Sequence, residues 1–413
     1  MKNNRTFLEK LLDGAEVEWK PVKSICNDNF WLMPATPEFD DNGNIPYITS
    51  KNIKGGKIDF QNTKYINEYV YKELSRTRCI IENDILISMI GTIGEAVIVK
   101  QEDLYFYGQN MYVLRLNNEL VNHKFFLYYF TAPFILNSLL SKKNSSNQGY
   151  LKAGQIENLK IPIPPLSVQT EIVKILDALT ALTSELTSEL TSELILHRKQ
   201  YEYYREKLLS EEELGKVGFE WKTLGDVAKI QRGASPRPIS QYITDEPNGI
   251  PWIKIGDTSL DSKYIENTAQ KITIEGAEKS RILKSGDFVM SNSMSYGRPY
   301  ILKISGAIHD GWASISDFEN ILNSDFLYYY LSSNTVQNYW NGKINSSSVS
   351  NLNSDIIKSL PIPIPTLNIQ IEIAKTLDKF ETLTNSITEG LPLAIKQSQK
   401  RYEYYRELLL NFS

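Results

Sequence analysis

Apolar residues recur at spacings of three and four along two long stretches of this chain. Ile172, Leu176, Leu179, Leu182, Leu186, Leu190 and Leu194 mark the first stretch; Ile373, Leu377, Phe380, Leu383, Ile387, Leu391 and Ile395 mark the second. That period predicts two helices, each with one contact stripe. No glycine or proline interrupts residues 167–209, so the first helix should run about 65 Å at 1.5 Å per residue. Ser167 and Asn368 stand where N-caps belong, each behind an Ile-Pro-Ile-Pro run that proline keeps extended. Gly390 and Pro392 predict a kink or restart in the second helix. Two matched stripes on one chain are expected to pack on each other as an antiparallel coiled coil, with the remaining domains at its opposite ends. Within the first helix, TSELTSELTSEL (183–194) predicts a low-complexity helical spacer.

The two stretches belong to a duplication with a period near 201 residues, the feature that organises the whole chain. Residues 161–177 (IPIPPLSVQTEIVKILD) and 362–378 (IPIPTLNIQIEIAKTLD) agree at eleven of seventeen positions, and YEYYRE at 201–206 recurs at 402–407. Glu18-Trp19-Lys20 matches Glu220-Trp221-Lys222, and Leu127-Tyr128-Tyr129 matches Leu327-Tyr328-Tyr329. Between these landmarks the copies diverge. Glu9-Lys10-Leu11-Leu12 resembles Glu206-Lys207-Leu208-Leu209, so the N-terminal segment should pack near the C-terminus. The expected division is 1–22 (N-terminal segment), 23–160 (first domain), 161–210 (spacer helix), 211–222 (linker), 223–361 (second domain) and 362–413 (second spacer helix). Both domains are rich in Ile, Val, Tyr and Phe with Gly, Asn and Pro turns. Their class is α+β with strongly curved sheets.

Composition narrows the partners little. Of 413 residues, 41% are apolar and 23% charged, and no run of about 18 apolar residues is present to span a membrane. The start, MKNNRTFLEKLLDG, lacks the apolar core of a signal peptide. Cys26 and Cys79 are too few for a disulfide framework. A cytosolic, cytoplasmic protein is expected. A net charge of −4 neither supports nor excludes a nucleic-acid partner, because the helices hold many glutamates.

Candidate contact residues fall in the diverged loops. Each domain ends in a polar stretch: Ser145, Ser146, Asn147, Gln148 and Tyr150 in one, Asn345, Ser346 and Ser347 in the other. Amide, hydroxyl and lysine side chains of this kind hydrogen-bond base edges and phosphates, although polar clusters are ordinarily just solvated loops. Ser88 and Thr92, and likewise Asn292, Ser293, Tyr296 and Arg298, follow expected strands in glycine-bearing segments. Glycine there permits close approach either to the domain's own core or to a phosphate. Lys51 and Lys54 form a small basic cluster, and Arg232 and Arg237 flank the turn QRGASPRP.

Catalytic constellations are missing. The chain has no Gly-x-x-x-x-Gly-Lys-Ser/Thr loop, no paired histidines at metal spacing, no Gly-x-Ser-x-Gly elbow and no Asn/Asp-Pro-Pro-aromatic methylase sequence. His123, His197 and His309 are isolated, so no metal site is expected.

The paired IPIP…L…Q…EI…LD helix entries, the repeated YEYYRE ends, the Ser-Glu-Leu-Thr tetrapeptides and the polar loop before each helix together resemble the specificity subunit of a type I restriction–modification system. The likeness spans nearly the whole chain. It implies two target-recognition domains on double-stranded DNA, each reading half of a bipartite site, with the helices as a ruler between them. It further implies binding of two methyltransferase subunits and of restriction/translocation subunits. Those partners would use S-adenosylmethionine, ATP and magnesium, while this chain binds no cofactor and catalyses nothing. Spacer and partner contacts are expected at Leu186, Leu190, Leu194, Tyr201, Tyr204, Arg205, Tyr402, Tyr405 and Arg406. The alternatives are a non-DNA adaptor on a coiled coil and a self-contained restriction enzyme.

Overall fold

The Glu-Trp-Lys and Ile-Pro-Ile-Pro segments, distant landmarks in the sequence, form the two strands of one ribbon in each copy. Glu18–Pro21 pairs antiparallel with Lys160–Ile163, placing Trp19 opposite Pro162; Glu220–Thr223 pairs with Pro361–Ile364, placing Trp221 opposite Pro363. Proline is tolerated because each strand of a two-stranded ribbon is an edge. The computed structural model describes residues 6–141, 151–259, 262–292, 297–345, 352–385 and 390–412. The chain divides into two units, Met1–Thr187 with Gln397–Ser413, and Ser188–Lys396. Both boundaries fall inside helices, Leu166–Leu208 and Gly390–Leu410.

In the first unit a four-stranded sheet runs in the order Cys26–Leu32, Met111–Leu116, Ile85–Ser88, Ala96–Ile98, with every pairing antiparallel. A three-stranded sheet joins Lys64–Ile66, Ile45–Thr49 and Tyr107–Gln109, the last pair parallel. The chain passes between the sheets at Asn110, whose φ of 66° breaks the strand. The second unit carries two five-stranded sheets. One contains Lys229–Arg232, Trp312–Ser316 and Phe288–Ser291; the other contains Ile250–Ile253 and Gly306–Ile308. In both units an aromatic helix, His123–Phe130 or Ser324–Leu331, closes the core beside the spacer helices and starts on an asparagine cap, Asn122 or Asn323.

The spacer helices begin two residues earlier than N-caps at Ser167 and Asn368 would place them, at Leu166 and Leu367. The carbonyls of Pro165 and Thr366 accept the first helical bonds, from Gln169 and Gln370. Ser167 and Asn368 therefore stand inside the first turn and not at its cap. The polar residue that fixes each entry is the glutamine, which is fully buried. Gln169 accepts the Asn122 N–H at 2.8 Å and donates to the carbonyls of Leu120 (3.0 Å) and Pro164 (2.8 Å). Gln370 repeats the pattern with Asn323 (2.8 Å), Ile321 (3.0 Å) and Pro365 (2.8 Å). With its donors and acceptor satisfied, a buried amide of this kind locks the helix to the preceding loop.

The apolar stripe of the first helix needs correcting. Ile172, Leu176 and Leu194 are buried, and Leu179 and Leu190 half-buried, but Leu182 is 62% and Leu186 41% exposed. Thr183 and Thr187 take the inner places. At about 100° per residue, Leu182 lies about 120° around the helix from Leu176, whereas Thr183 lies only about 20° away. In the second copy Ile373, Leu377 and Leu391 are buried, Phe380, Leu383 and Ile395 half-buried, and Ile387 lies outside the described residues. The helix Leu367–Asn385 is followed by a restart at Gly390, whose φ is +80°. A side chain at Gly390 would meet the Leu383 carbonyl oxygen at 2.6 Å.

Each unit contains an antiparallel helical pair. In the first, Ile172 and Leu176 share a core with Leu409 and Leu410, while further along Thr180 donates to the Tyr402 hydroxyl at 3.0 Å. Leu8 and Phe412 join that core. In the second, Tyr204 stacks on Phe380 at 5.3 Å, and Leu208 lines a cleft with Ile369 and Ile373.

Candidate nucleic-acid interface

Diverged loops that are remote in sequence meet at one junction in each unit. In the first unit the strand Ile85–Ser88 ends at Met89, whose N–H donates to Asn110 (3.2 Å) and whose carbonyl accepts Leu151 N–H (3.1 Å). Thr92 donates its hydroxyl to the Ser50 carbonyl at 2.9 Å, which brings in the 3-10 turn Ser50–Asn52 with Lys51. Lys54 precedes the Gly55–Gly56 turn, tied to Glu95 through the Gly55 N–H at 3.1 Å. Both lysines are exposed.

The second unit repeats the junction with equivalent backbone bonds. Asn292 N–H donates to Gly311 (3.2 Å), Leu352 N–H donates to Asn292 (3.0 Å), and Gly233 N–H donates to Trp312 (2.7 Å). Arg232 and Arg237 thus arrive beside Asn292. They meet at Asp310, whose carbonyl accepts Arg232 Nε at 3.1 Å and Asn292 Nδ2 at 3.2 Å. Its carboxylate accepts the Ser235 hydroxyl at 2.9 Å and lies 3.5 Å from the Arg237 guanidinium and 3.1 Å from His309 Nε2. Burial works to raise the Asp310 carboxyl. The Ser235 hydroxyl and the His309, Arg237 and Arg232 side chains outweigh it and hold the group below its usual range.

Several expected contact residues sit elsewhere. Ser88 is fully buried, its hydroxyl bonded to the Ile90 carbonyl and to Thr92 Oγ1 (3.2 Å), so it holds the loop together and offers nothing outward. Thr92 is exposed, but its hydroxyl hydrogen is engaged by Ser50. Gly94 and Gly297 face the domain core, where a Cβ would meet Leu136 at 2.7 Å and the Trp340 ring at 2.7 Å, whereas Gly91 is exposed. Arg298 stacks over Tyr300 and borders a cleft with Tyr201, Arg205 and Glu381, away from Asn292 and Asp310. Ser145, Ser146, Asn147, Gln148, Tyr150, Ser293, Tyr296, Ser346 and Ser347 lie outside the described residues, as does the side chain of Asn345. Sequence reasoning missed Asp310, His309 and Ser235, which belong to no motif. The only available signal was two arginines five positions apart in a turn, which call for a counter-charge.

The expected partner-facing set also divides. Leu194 and Tyr201 are buried, and Tyr201 packs edge-on against Tyr329. Arg406 is buried as well, donating to the Tyr128 carbonyl and Thr131 Oγ1, both at 2.7 Å. Arg205 pairs with Glu206 at 3.0 Å, and Tyr402 is half-buried. These five serve their own units. Tyr405 and Leu186 remain exposed, Tyr204 is exposed on the side away from its stack on Phe380, and Leu190 is half-buried. Among the described residues no group of three His, Cys, Asp or Glu is placed to hold a metal, and no helix is long and apolar enough to cross a membrane.

Comparison with known proteins agrees with this duplicated frame. The family described as "Type I restriction modification DNA specificity domain" matches residues 16–195 and again 216–397. A putative type I restriction enzyme specificity subunit of Haemophilus influenzae is 40% identical over 424 residues, covering 100% of both chains. The specificity subunit of the type I restriction enzyme EcoR124I/EcoR124II of Escherichia coli is 33% identical over 422 residues, covering 98% of this chain and 97% of its own. Among solved structures, the HsdS subunit of Thermoanaerobacter tengcongensis shares the fold with a TM-score of 0.56 at 18% identity, covering 96% of this chain and 95% of its own. A chain from a structural study of type I R-M complex assembly aligns at a TM-score of 0.70 and 18% identity, covering 96% of this chain and 98% of its own. With both halves matched in register and full-length relatives at this identity, the chain belongs to the specificity subunits of type I restriction–modification systems.

Proposed function

We propose that each unit reads one half of a bipartite duplex target and that this chain performs no chemistry itself. The observation that carries this reading is the repeated junction. Two copies of one frame, with the same ribbon register and the same glutamine lock, present different loop residues at the same place. A constant frame with variable loops is what two readers of different sequences require, since frame contacts fix register while side chains at base edges specify sequence. Methyltransferase subunits, two per chain to match its two copies, would bring S-adenosylmethionine; restriction/translocation subunits would bring ATP and magnesium. Exposed Tyr204 and Tyr405, equivalent in the two copies, support a shared mode of partner contact.

The test is methylome sequencing of the source organism with and without this gene, beside duplex-binding measurements on the chain with its methyltransferase partners. A bipartite motif that vanishes on deletion supports the reading. An unchanged methylome and absence of sequence-selective binding would favour the adaptor alternative.

A further inference from the structure

Asp310 gathers side chains from two other loops, the turn 231–238 and the loop at Asn292. Besides the bonds to Arg232, Asn292 and Ser235, its neighbour His309 is fixed from both sides: Nδ1 accepts the Gly311 N–H at 2.9 Å and Nε2 faces the carboxylate. The side chain of Arg237 is nonetheless 84% exposed. We propose that Arg237 reads a guanine in the half-site of the second unit, and that Asp310 is the positioning residue that aims it. This assignment rests on the bipartite reading above and deepens it.

Two features favour a base edge over a phosphate. Arg232, Arg237 and Asp310 together leave one net positive charge, a weak reward for a phosphate clamp. The Arg237 guanidinium approaches Asp310 through Nη2 alone, at 3.5 Å, and keeps its other donors free, in the fork geometry that matches guanine O6 and N7. In place of Asp310 and Gly311 the first unit carries Gln109 and Asn110, and Gln109 Oε1 accepts the Tyr47 hydroxyl at 3.3 Å. One frame thus presents different chemistry at one place.

The experiment uses the full chain with its methyltransferase subunits. It measures the methylated motif, and competition by duplexes substituted at each position of both half-sites. Arg237→Ala and Arg237→Lys should each lose about ten- to a hundred-fold discrimination at a single G·C pair of the second unit's half-site. Asp310→Asn should lose part of that discrimination at the same pair, with the other half-site read as before. Uniform weakening on all sequences, with a shallower salt dependence, would make Arg237 a phosphate contact and overturn the assignment. Full discrimination by Arg237→Lys, or a loss confined to the other half-site, would also overturn it. A wild-type complex that distinguishes neither half-site would sink the bipartite reading itself.

Discussion

Asp84 and Asp287 occupy equivalent positions, both buried, each with one carboxylate oxygen on a backbone N–H, that of Ile81 at 2.9 Å or Lys284 at 2.8 Å. Asp84 is also gripped by Arg115 through two bonds, at 2.9 and 3.0 Å. The second copy has Ser316 where the first has Arg115, and Asp287 Oδ1 is left without a hydrogen-bond partner. Burial, only partly offset by the Lys284 N–H and ammonium, raises the Asp287 carboxyl above its ordinary range. A carboxyl with a raised folded pKa takes up a proton on folding. Its contribution is therefore complete below the unfolded pKa and is lost as pH rises through the folded one. Asp287→Asn should remove that decline, so thermal melts of variant and wild type should diverge in favour of the variant from acid toward neutral pH; parallel curves would refute it. Glycine offers a second comparison. Gly94 (φ +86°) and Gly297 (φ +83°) both have left-handed backbone, which costs an L-residue about 1–2 kcal/mol. Gly94→Ala displaces the methyl end of half-buried Leu136, whereas Gly297→Ala presses on the fully buried Trp340 ring. Gly297→Ala should lower the melting temperature more, and equal losses would mean that backbone strain alone decides the cost.

At the scale of elements, the spacer helix shows how loosely sequence fixes its packed face. Within the TSEL units Thr183 and Thr187 lie inward while Leu186 is exposed, and the apolar grip returns only with half-buried Leu190 and buried Leu194. The regularity of the units still permits a clean deletion, because removing one unit restores the same residue types in the same order. Removing Thr191–Leu194 takes out four helical residues, about 6 Å of rise and about 40° beyond a full turn. DNA advances about 3.4 Å per base pair. If the spacer sets the gap in a bipartite target, methylation mapping of the deletion strain should show a gap shorter by one or two base pairs with both half-sites intact. An active enzyme with an unaltered gap would reject the ruler.

For the whole molecule, the decisive property is that one frame is used twice. Exchanging residues 23–160 for the equivalent region of a relative should change one half of the methylated motif and leave the other as it was, because the ribbon and the glutamine lock supply the same seats in either copy. A change in both halves would separate domain from half-site. The purified chain should neither methylate nor cut DNA when given S-adenosylmethionine, ATP and magnesium. Turnover that persists after partner subunits are removed would contradict a recognition role.

The sequence by itself determined the duplication, the long helix, the restart at Gly390 and the family, because these rest on repetition and on local backbone chemistry. It also located the diverged loops. It did not separate residues that build those loops from residues that face outward. Ser88, Arg298 and Arg406 read as surface groups and are instead engaged by their own units, while Asp310 was silent. Such roles depend on which long-range backbone bonds bring strand ends together: Met89 to Leu151 and Asn110, Asn292 to Leu352 and Gly311. Local propensity carries no record of those pairings. Only the tertiary structure decides whether a polar side chain meets a partner or solvent.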